Sequence, residues 1–264
     1  MAVAEAIIES QGALNLKLQA EAHVRALRAG DAGWGNTTRY AVRNLANGVS
    51  PSHSGDLSAK ITGLGNGTAM KIAPAALLIQ HNSKPQDPDV VPFLADLCAM
   101  THKTTIGLQS GLAQAMAVHY CIMTPSQGFS RTSFLDYAIY GCKRASSFPV
   151  EKCDDDLVGR LLHLRDLPEQ VDPVADYGGG SCYAYNSIPF TFYYFLQDPW
   201  SVDSLYEVVN AGGDTDSNGS MLGALLGALN GMSVWPDHLL DGLATDVQVQ
   251  IEETYNKICD VLGF

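Results

Sequence analysis

The sequence predicts an all-α fold. No segment keeps up the alternation of a strand, and Gly, Pro and Asn turn signals separate stretches of helical length throughout. One stretch, VNAGGDTDSNGSMLGALLGALNGM at 209–232, runs into a helix with glycine at 219, 223, 227 and 231. The 264 residues suffice for one large domain or two small ones. No Pro/Gly/Ser-rich linker divides them and no internal repeat is visible, so a single domain over 1–264 is expected.

Taken in order, residues 1–10 (MAVAEAIIES) follow an amphipathic helical pattern from the first residue, with no cap before them. A helix that starts this way normally has something upstream. Leu16 to Arg28 reads as a second helix, with Leu18, Val24 and Leu27 on one face and Gly30 as its stop. Asn36-Thr37-Thr38 can cap a third helix that ends at Asn47-Gly48, and Ser50 to Gly55, with Pro51 and His53, reads as a loop. In 63–74, GLGNGTAMKIAP, a glycine turn feeds a helix opened by Thr68. Residues 89–102 make a helix ending in Met100-Thr101-His102, and Thr104 starts the next, in which His119 lies on an apolar face as a core histidine. A loop and the FLDYAIYGCKRA helix fill 125–150. Asp154, Asp155 and Asp156 point in different directions on a helix and read as its solvated start. A glycine turn and an aromatic-rich helix occupy 176–197; Tyr183, Tyr185, Phe190, Phe192, Tyr193, Tyr194 and Phe195 belong to core and pocket wall. A last helix over 244–262 reads as structural.

Composition excludes several functions. With 28 acidic and 16 basic residues the net charge is −12, and no basic stripe exists to neutralise nucleic-acid phosphates. Small anions stay within reach if helix N-termini or a metal supply the positive field. Mean hydropathy is +0.01, ordinary for a chain with a substantial core. No apolar run reaches the roughly 18 residues of a membrane span, and no basic-then-apolar leader opens the chain. The six cysteines form no CxxC and no zinc-like pairing with histidine. These features predict a soluble protein of a reducing, cytoplasmic compartment, with no membrane partner.

The chemistry is densest at 212–217. Asp214, Asp216 and Ser217 fall within four residues after Gly212-Gly213, ahead of a helix whose first N–H groups are free. Helix capping explains one such residue. Two carboxylates two apart with a hydroxyl beside them are unfavourable unless a cation sits between them, and oxygen ligands of this kind suit magnesium. The metal reading therefore ranks ahead of capping. Each glycine of the following row costs about 1 kcal/mol in a helix. A bare face of this kind lets a helix or ligand approach the backbone.

The second chemical stretch is Gly63 to Thr68, where glycines flank Asn66. It fits a ligand-contacting loop as well as it fits a plain turn, and it lacks the Lys-Ser/Thr of a Walker loop. His102, at a helix–helix corner, reads from the residues alone as a capping or packing histidine.

Together, GNGTAM at 65–70, the Met-Thr-His corner with its following helix at 100–120, and AGGDTDSNGSMLGALLGALNG at 211–231 resemble the ADP-ribosylglycohydrolase family. That family includes dinitrogenase-reductase-activating glycohydrolases and ADP-ribosyl-acceptor hydrolases, and the J1 crystallins share its superfamily. Order and spacing match over nearly the whole chain, and the third motif is the specific one. The resemblance implies an orthogonal multi-helix bundle with two magnesium ions beneath an ADP-ribose cleft. Asp214, Asp216 and Ser217 would be half of the metal cage. Gly65, Asn66, Gly67 and Thr68 would contact the ribose–diphosphate, with His102 at the pocket wall. The implied reaction is hydrolysis at the anomeric carbon of ADP-ribose linked to a protein or small-molecule acceptor.

The sequence departs from the family at one place. Members carry a Gly-Asp-rich segment and a Thr-Asp-Asp-Thr motif that supply the other half of the cage, just ahead of a helix like MAVAEAIIES. Neither occurs in these 264 residues. The expectation is weak magnesium binding, poor or absent catalysis, and uncovered apolar surface that invites homo-oligomerisation. The alternative function is a non-catalytic ADP-ribose-binding or crystallin-like member. A third reading, a magnesium phosphohydrolase using Asp154 to Asp156 as its second cluster, requires those acids to converge on Asp214.

Overall fold

The computed structural model describes residues 1–30, 33–81, 90–166 and 171–264. Among them the chain is helical, without strands; the only extended pairings are isolated bridges such as Gly65 with Tyr183 and Thr104 with Glu151. In order the helices are α1 (Ala2–Glu9), α2 (Leu16–Ala29), α3 (Asn36–Ala46), α4 (Pro51–Ser54) and α5 (Gly67–His81). Then come α6 (Val90–Ala99), α7 (Thr105–Met123), α8 (Arg131–Ala145), α9 (Leu157–Arg165) and α10 (Pro173–Asp176). The last are α11 (Ala184–Gln197), α12 (Asp203–Asn210), α13 (Thr215–Asn230), α14 (Asp237–Asp241) and α15 (Thr245–Leu262). Among the described residues no helix is long and apolar enough to cross a membrane.

The axis of the fold is α7. Thr104 caps it, its hydroxyl accepting from the Gly107 N–H at 3.0 Å. Every residue from Ile106 to Cys121 is buried. A helix buried on all sides needs neighbours on all sides, and α7 has them. Ala113, Ala117 and Val118 join a core with α8, α9, α11 and α13, where Phe134 meets Phe192 and Phe195 at ring separations of 5.1 Å. Leu108, Leu112 and Met116 join a second core with α1, α5, α6 and the end of α15. His119 sits inside α7, 3% exposed, its basicity lowered by burial, as the apolar pattern around it implies.

Several local expectations are corrected. In α2, capped by the Asn15 side chain, the buried residues are Gln19, Ala20, Ala22 and His23, while Leu18, Val24 and Leu27 are only half-buried. Ala20 and Ala22 let α2 lie close to its neighbours, and Gln19 is drawn inside by donating to Val3 O of α1. In α3 the cap position belongs to Gly35 in an extended conformation, and no side chain caps the helix; Asn36 is already helical. The segment read as a loop at Ser50–Gly55 contains α4, started by Pro51, whose fixed φ suits a first helical position. Residue 89 lies outside the described residues, and α6 ends at Ala99, short of Met100-Thr101-His102. The glycine row of α13 faces helix α12 at its start, as a bare helix face allows, and an indole further along. A Cβ at Gly223 or Gly227 would touch the Trp235 indole at 3.6 or 3.7 Å, and one at Gly219 would touch Val209 at 3.2 Å. Gly231 lies past the helix end with φ 68°.

Candidate active site

The head of α13 is set by backbone geometry. Gly213 has φ 76°, and a Cβ there would fall 2.0 Å from the Gly179 carbonyl oxygen, so only glycine fits. Past it, the Asp214 N–H donates to the Gly180 carbonyl at 3.0 Å. Asp214 occupies the cap position of α13 yet its carboxylate caps nothing. Instead Asp214 Oδ2 accepts from Asn66 Nδ2 at 2.8 Å, joining two stretches 148 residues apart. Asp216, exposed, accepts from the Ser217 N–H at 2.7 Å, and the buried Ser217 hydroxyl contacts Met70 Sδ at 3.7 Å.

The two carboxyls titrate as a pair. Burial raises the pKa of Asp214 above the ordinary carboxylate range, against the Asn66 hydrogen bond that lowers it. A hydrogen bond from Asp214 holds that of Asp216 low. The two carboxyls thus differ in acidity, and a cation between them would relieve the repulsion of like charges. The donor set is two carboxylates and a hydroxyl, suited to one hard ion completed by water or substrate oxygens. Among the described residues no group of three or more His, Cys, Asp or Glu forms a metal cluster. Two carboxylates and a hydroxyl on one side are a donor set that fits one hard cation.

Opposite lies the Gly65–Thr68 loop, fastened to the start of α11: the Asn66 N–H donates to Cys182 O and the Ala184 N–H to Leu64 O, both at 3.0 Å. A Cβ on Gly67 would come within 2.9 Å of His102 Cε1 and 3.2 Å of Thr38 Oγ1, so His102 packs its ring against the loop. Thr68 turns away. Its hydroxyl donates to Gly107 O at 2.8 Å inside α7, leaving only its backbone for the site. The loop runs directly into α5, whose first N–H groups have no intrahelical acceptor.

Behind the loop is a corner rich in basic groups. Lys71 Nζ donates to Thr101 Oγ1 at 2.9 Å, which lies 3.0 Å from His102 Nδ1. Burial pushes the Lys71 amine down to about 8 and, with Lys71 nearby, holds His102 and His23 at about 3. Both imidazoles are neutral at any ordinary pH. Sequence reading did not single out Lys71, Met70 or Gly180.

Asp154 to Asp156 do not converge on Asp214. Asp155 accepts from the Tyr183 hydroxyl, Asp154 and Asp155 line a cavity of about 400 Å³ with Leu57, Ile61, Leu64 and Thr104, and Asp156 faces a different cavity. The phosphohydrolase arrangement is therefore not built.

Comparison with known proteins follows this geometry. The sequence model of the ADP-ribosylglycohydrolase family matches residues 1–262. ADP-ribosylhydrolase ARH3 of Bos taurus is 29% identical over 197 residues, covering 66% of this chain and 52% of that protein. ADP-ribosyl-[dinitrogen reductase] glycohydrolase of Rhodospirillum rubrum is 25% identical over 233 residues, 87% of this chain and 66% of its own length. The chain thus spans about half to two thirds of these relatives. A solved structure, an ADP-ribosylglycohydrolase-related protein complex, superposes with a TM-score of 0.68 at 20% identity, over 99% of this chain and 78% of that one, and shares the all-helical fold. The chain belongs to the ADP-ribosylglycohydrolase family.

Proposed function

We propose that this chain hydrolyses the glycosidic bond between ADP-ribose and its acceptor. The observation that carries the reading is the Asn66–Asp214 hydrogen bond, which makes one site of the loop and the acid pair. The nucleotide would lie along the loop, its diphosphate facing the free N–H groups at the head of α5. The cavity bounded by Leu57, Leu64 and Thr104 would take its apolar ring. Asp216, ionised and exposed, would accept a proton from the attacking water and face the positive charge developing on the ribose. Asp214 would be held in place beside Asp216 by the Asn66 hydrogen bond. A magnesium ion, when bound to Asp214, Asp216 and Ser217, would supply an electrophile for the ribose hydroxyls and for water.

The alternative reading, a binding protein without turnover, rests on the single-sided acid set. ADP-ribosylated peptides incubated with the chain in magnesium and in EDTA distinguish the two. Release of free ADP-ribose that falls at least about 100-fold in Asp216→Asn supports hydrolysis. ADP-ribose binding without any release favours the binding protein. Release unchanged in Asp216→Asn removes this acid from the reaction and overturns the reading.

A further inference from the structure

We propose that a second cavity, on the far side of the Gly178–Gly180 turn from the acid pair, binds a small zwitterion. Its carboxylate would lie on Arg160 and its ammonium between Asp156 and Asp176. The cavity is about 340 Å³ and is lined by these three residues together with His163, Tyr177 and Tyr185. The proposal stands apart from the glycosidase reading and uses none of its residues.

Arg160 is held in an unusual state. Its guanidinium carbon lies 4.1 Å from the ring centre of Tyr185 and 5.6 Å from that of Tyr177. Stacking of this kind fixes the plane of the guanidinium and leaves its edges free. Among the described residues only one of its N–H groups has a hydrogen-bond partner, donating to Asn186 Oδ1 at 3.3 Å. Among the described residues no carboxylate forms an ion pair with it, although Asp156 and Asp176 line the same cavity. A guanidinium has five donors in a fork that matches a carboxylate. This one is oriented and largely unused. Beside it, the Tyr177 hydroxyl is buried without a hydrogen-bond partner, a cost that a polar occupant of the cavity would relieve.

The wall charges choose the class of occupant. A plain anion gains from Arg160 but meets two carboxylates and a chain of net charge −12. A phosphate dianion fares worse than a carboxylate for the same reason. A plain cation gains from the two acids but meets Arg160. A ligand with both charges satisfies both sets, and complementary potentials of this kind set specificity. Tyr177, which lines this cavity, leads into the turn whose Gly180 carbonyl accepts from the Asp214 N–H.

The test titrates the full chain by calorimetry with the ω-amino acids from glycine to 6-aminohexanoate, with propionate and propylamine as single-charge controls. At least one amino acid should bind tenfold or more tighter than both controls. That affinity should drop at least tenfold in Arg160→Gln and in Asp176→Asn, the latter an exposed residue whose amide oxygen can still accept from the Asp172 N–H. The amide resonances of Gly180 and Asp214 should shift on binding. Amino acids that bind no tighter than propionate or propylamine would overturn the proposal, as would binding unaltered in Asp176→Asn.

Discussion

The two sides of the Asn66 loop carry opposite chemistry and treat it in opposite ways. On one side Asp214 and Asp216 crowd two carboxyls into three residues, partly open to solvent, with burial raising the pKa of the first and hydrogen bonding lowering that of the second. On the other, Lys71, His102 and His23 crowd three basic groups into a buried corner where both imidazoles are held neutral and the Lys71 amine, lowered to about 8, stays charged at pH 7. The acid side keeps its charge available for a ligand. The basic side keeps one charge, on Lys71, and its neutral imidazoles serve as a wall. What separates them is solvent access rather than residue type: a titratable group keeps its charge where water or a partner reaches it and gives it up where neither does.

Acid should expose this difference most strongly. His23 and His102 titrate near 3 in the folded chain and near 6.5 when unfolded, so the unfolded state takes up more protons between those values. Stability is complete above pH 6.5 and is lost as pH falls. Each imidazole removes about 1.4 kcal/mol per pH unit, or roughly 5 kcal/mol for both at pH 4.5. Urea unfolding at pH 7, 5.5 and 4.5 measures the slope, and His23→Leu should cut it by about half. A slope untouched by that change would place the acid sensitivity elsewhere.

Next in size is the turn beneath the acid side. Gly213→Ala should cost about 3 kcal/mol or more, since the added Cβ meets a carbonyl oxygen at 2.0 Å. Gly212→Ala, with φ 89° but open space around it, should cost only about 1–2 kcal/mol. Equal melting temperatures for the two variants would refute the close approach to Gly179.

Asn66→Ala should cost about 1–2 kcal/mol through the donor lost to a half-buried carboxyl. It should also move the Asp214 titration to higher pH, which carbon-detected NMR can follow. Smallest is Gly223→Ala on α13, which should stabilise by about 0.5–1 kcal/mol: the new methyl meets Trp235 at ordinary contact distance, and helix propensity improves. Destabilisation there would mean that the glycine row keeps the helix face bare for something other than the indole.

Much of this was legible in the sequence, and the reason is local. Turn residues and helical spacing mark α5, α7, α8, α11 and α13, and two carboxylates within three residues announce themselves in any fold. Asn66 between glycines was legible as a loop, but not its bond to Asp214, which depends on a separation of 148 residues. Thr68 was misjudged for the same reason, since its hydroxyl turns to Gly107, a partner that only the packing of α5 on α7 supplies. The glycine row was readable as a bare face, but the indole that covers it comes from a residue past the helix end. Lys71 hid in an apolar helix because no pattern distinguishes a solvated lysine from a desolvated one.

The burial of α7 on every side has a consequence for how the chain opens. Because its residues are shared by both cores, neither core can loosen without uncovering a face of this helix. The amides of Ile106 to Cys121 should therefore exchange with deuterium only through global unfolding, while those of α15 before Ile258, exposed along their length, exchange through local fraying. Through the Thr68 hydroxyl on Gly107, the loop that bears Asn66 is fastened to the slowest-exchanging part of the chain.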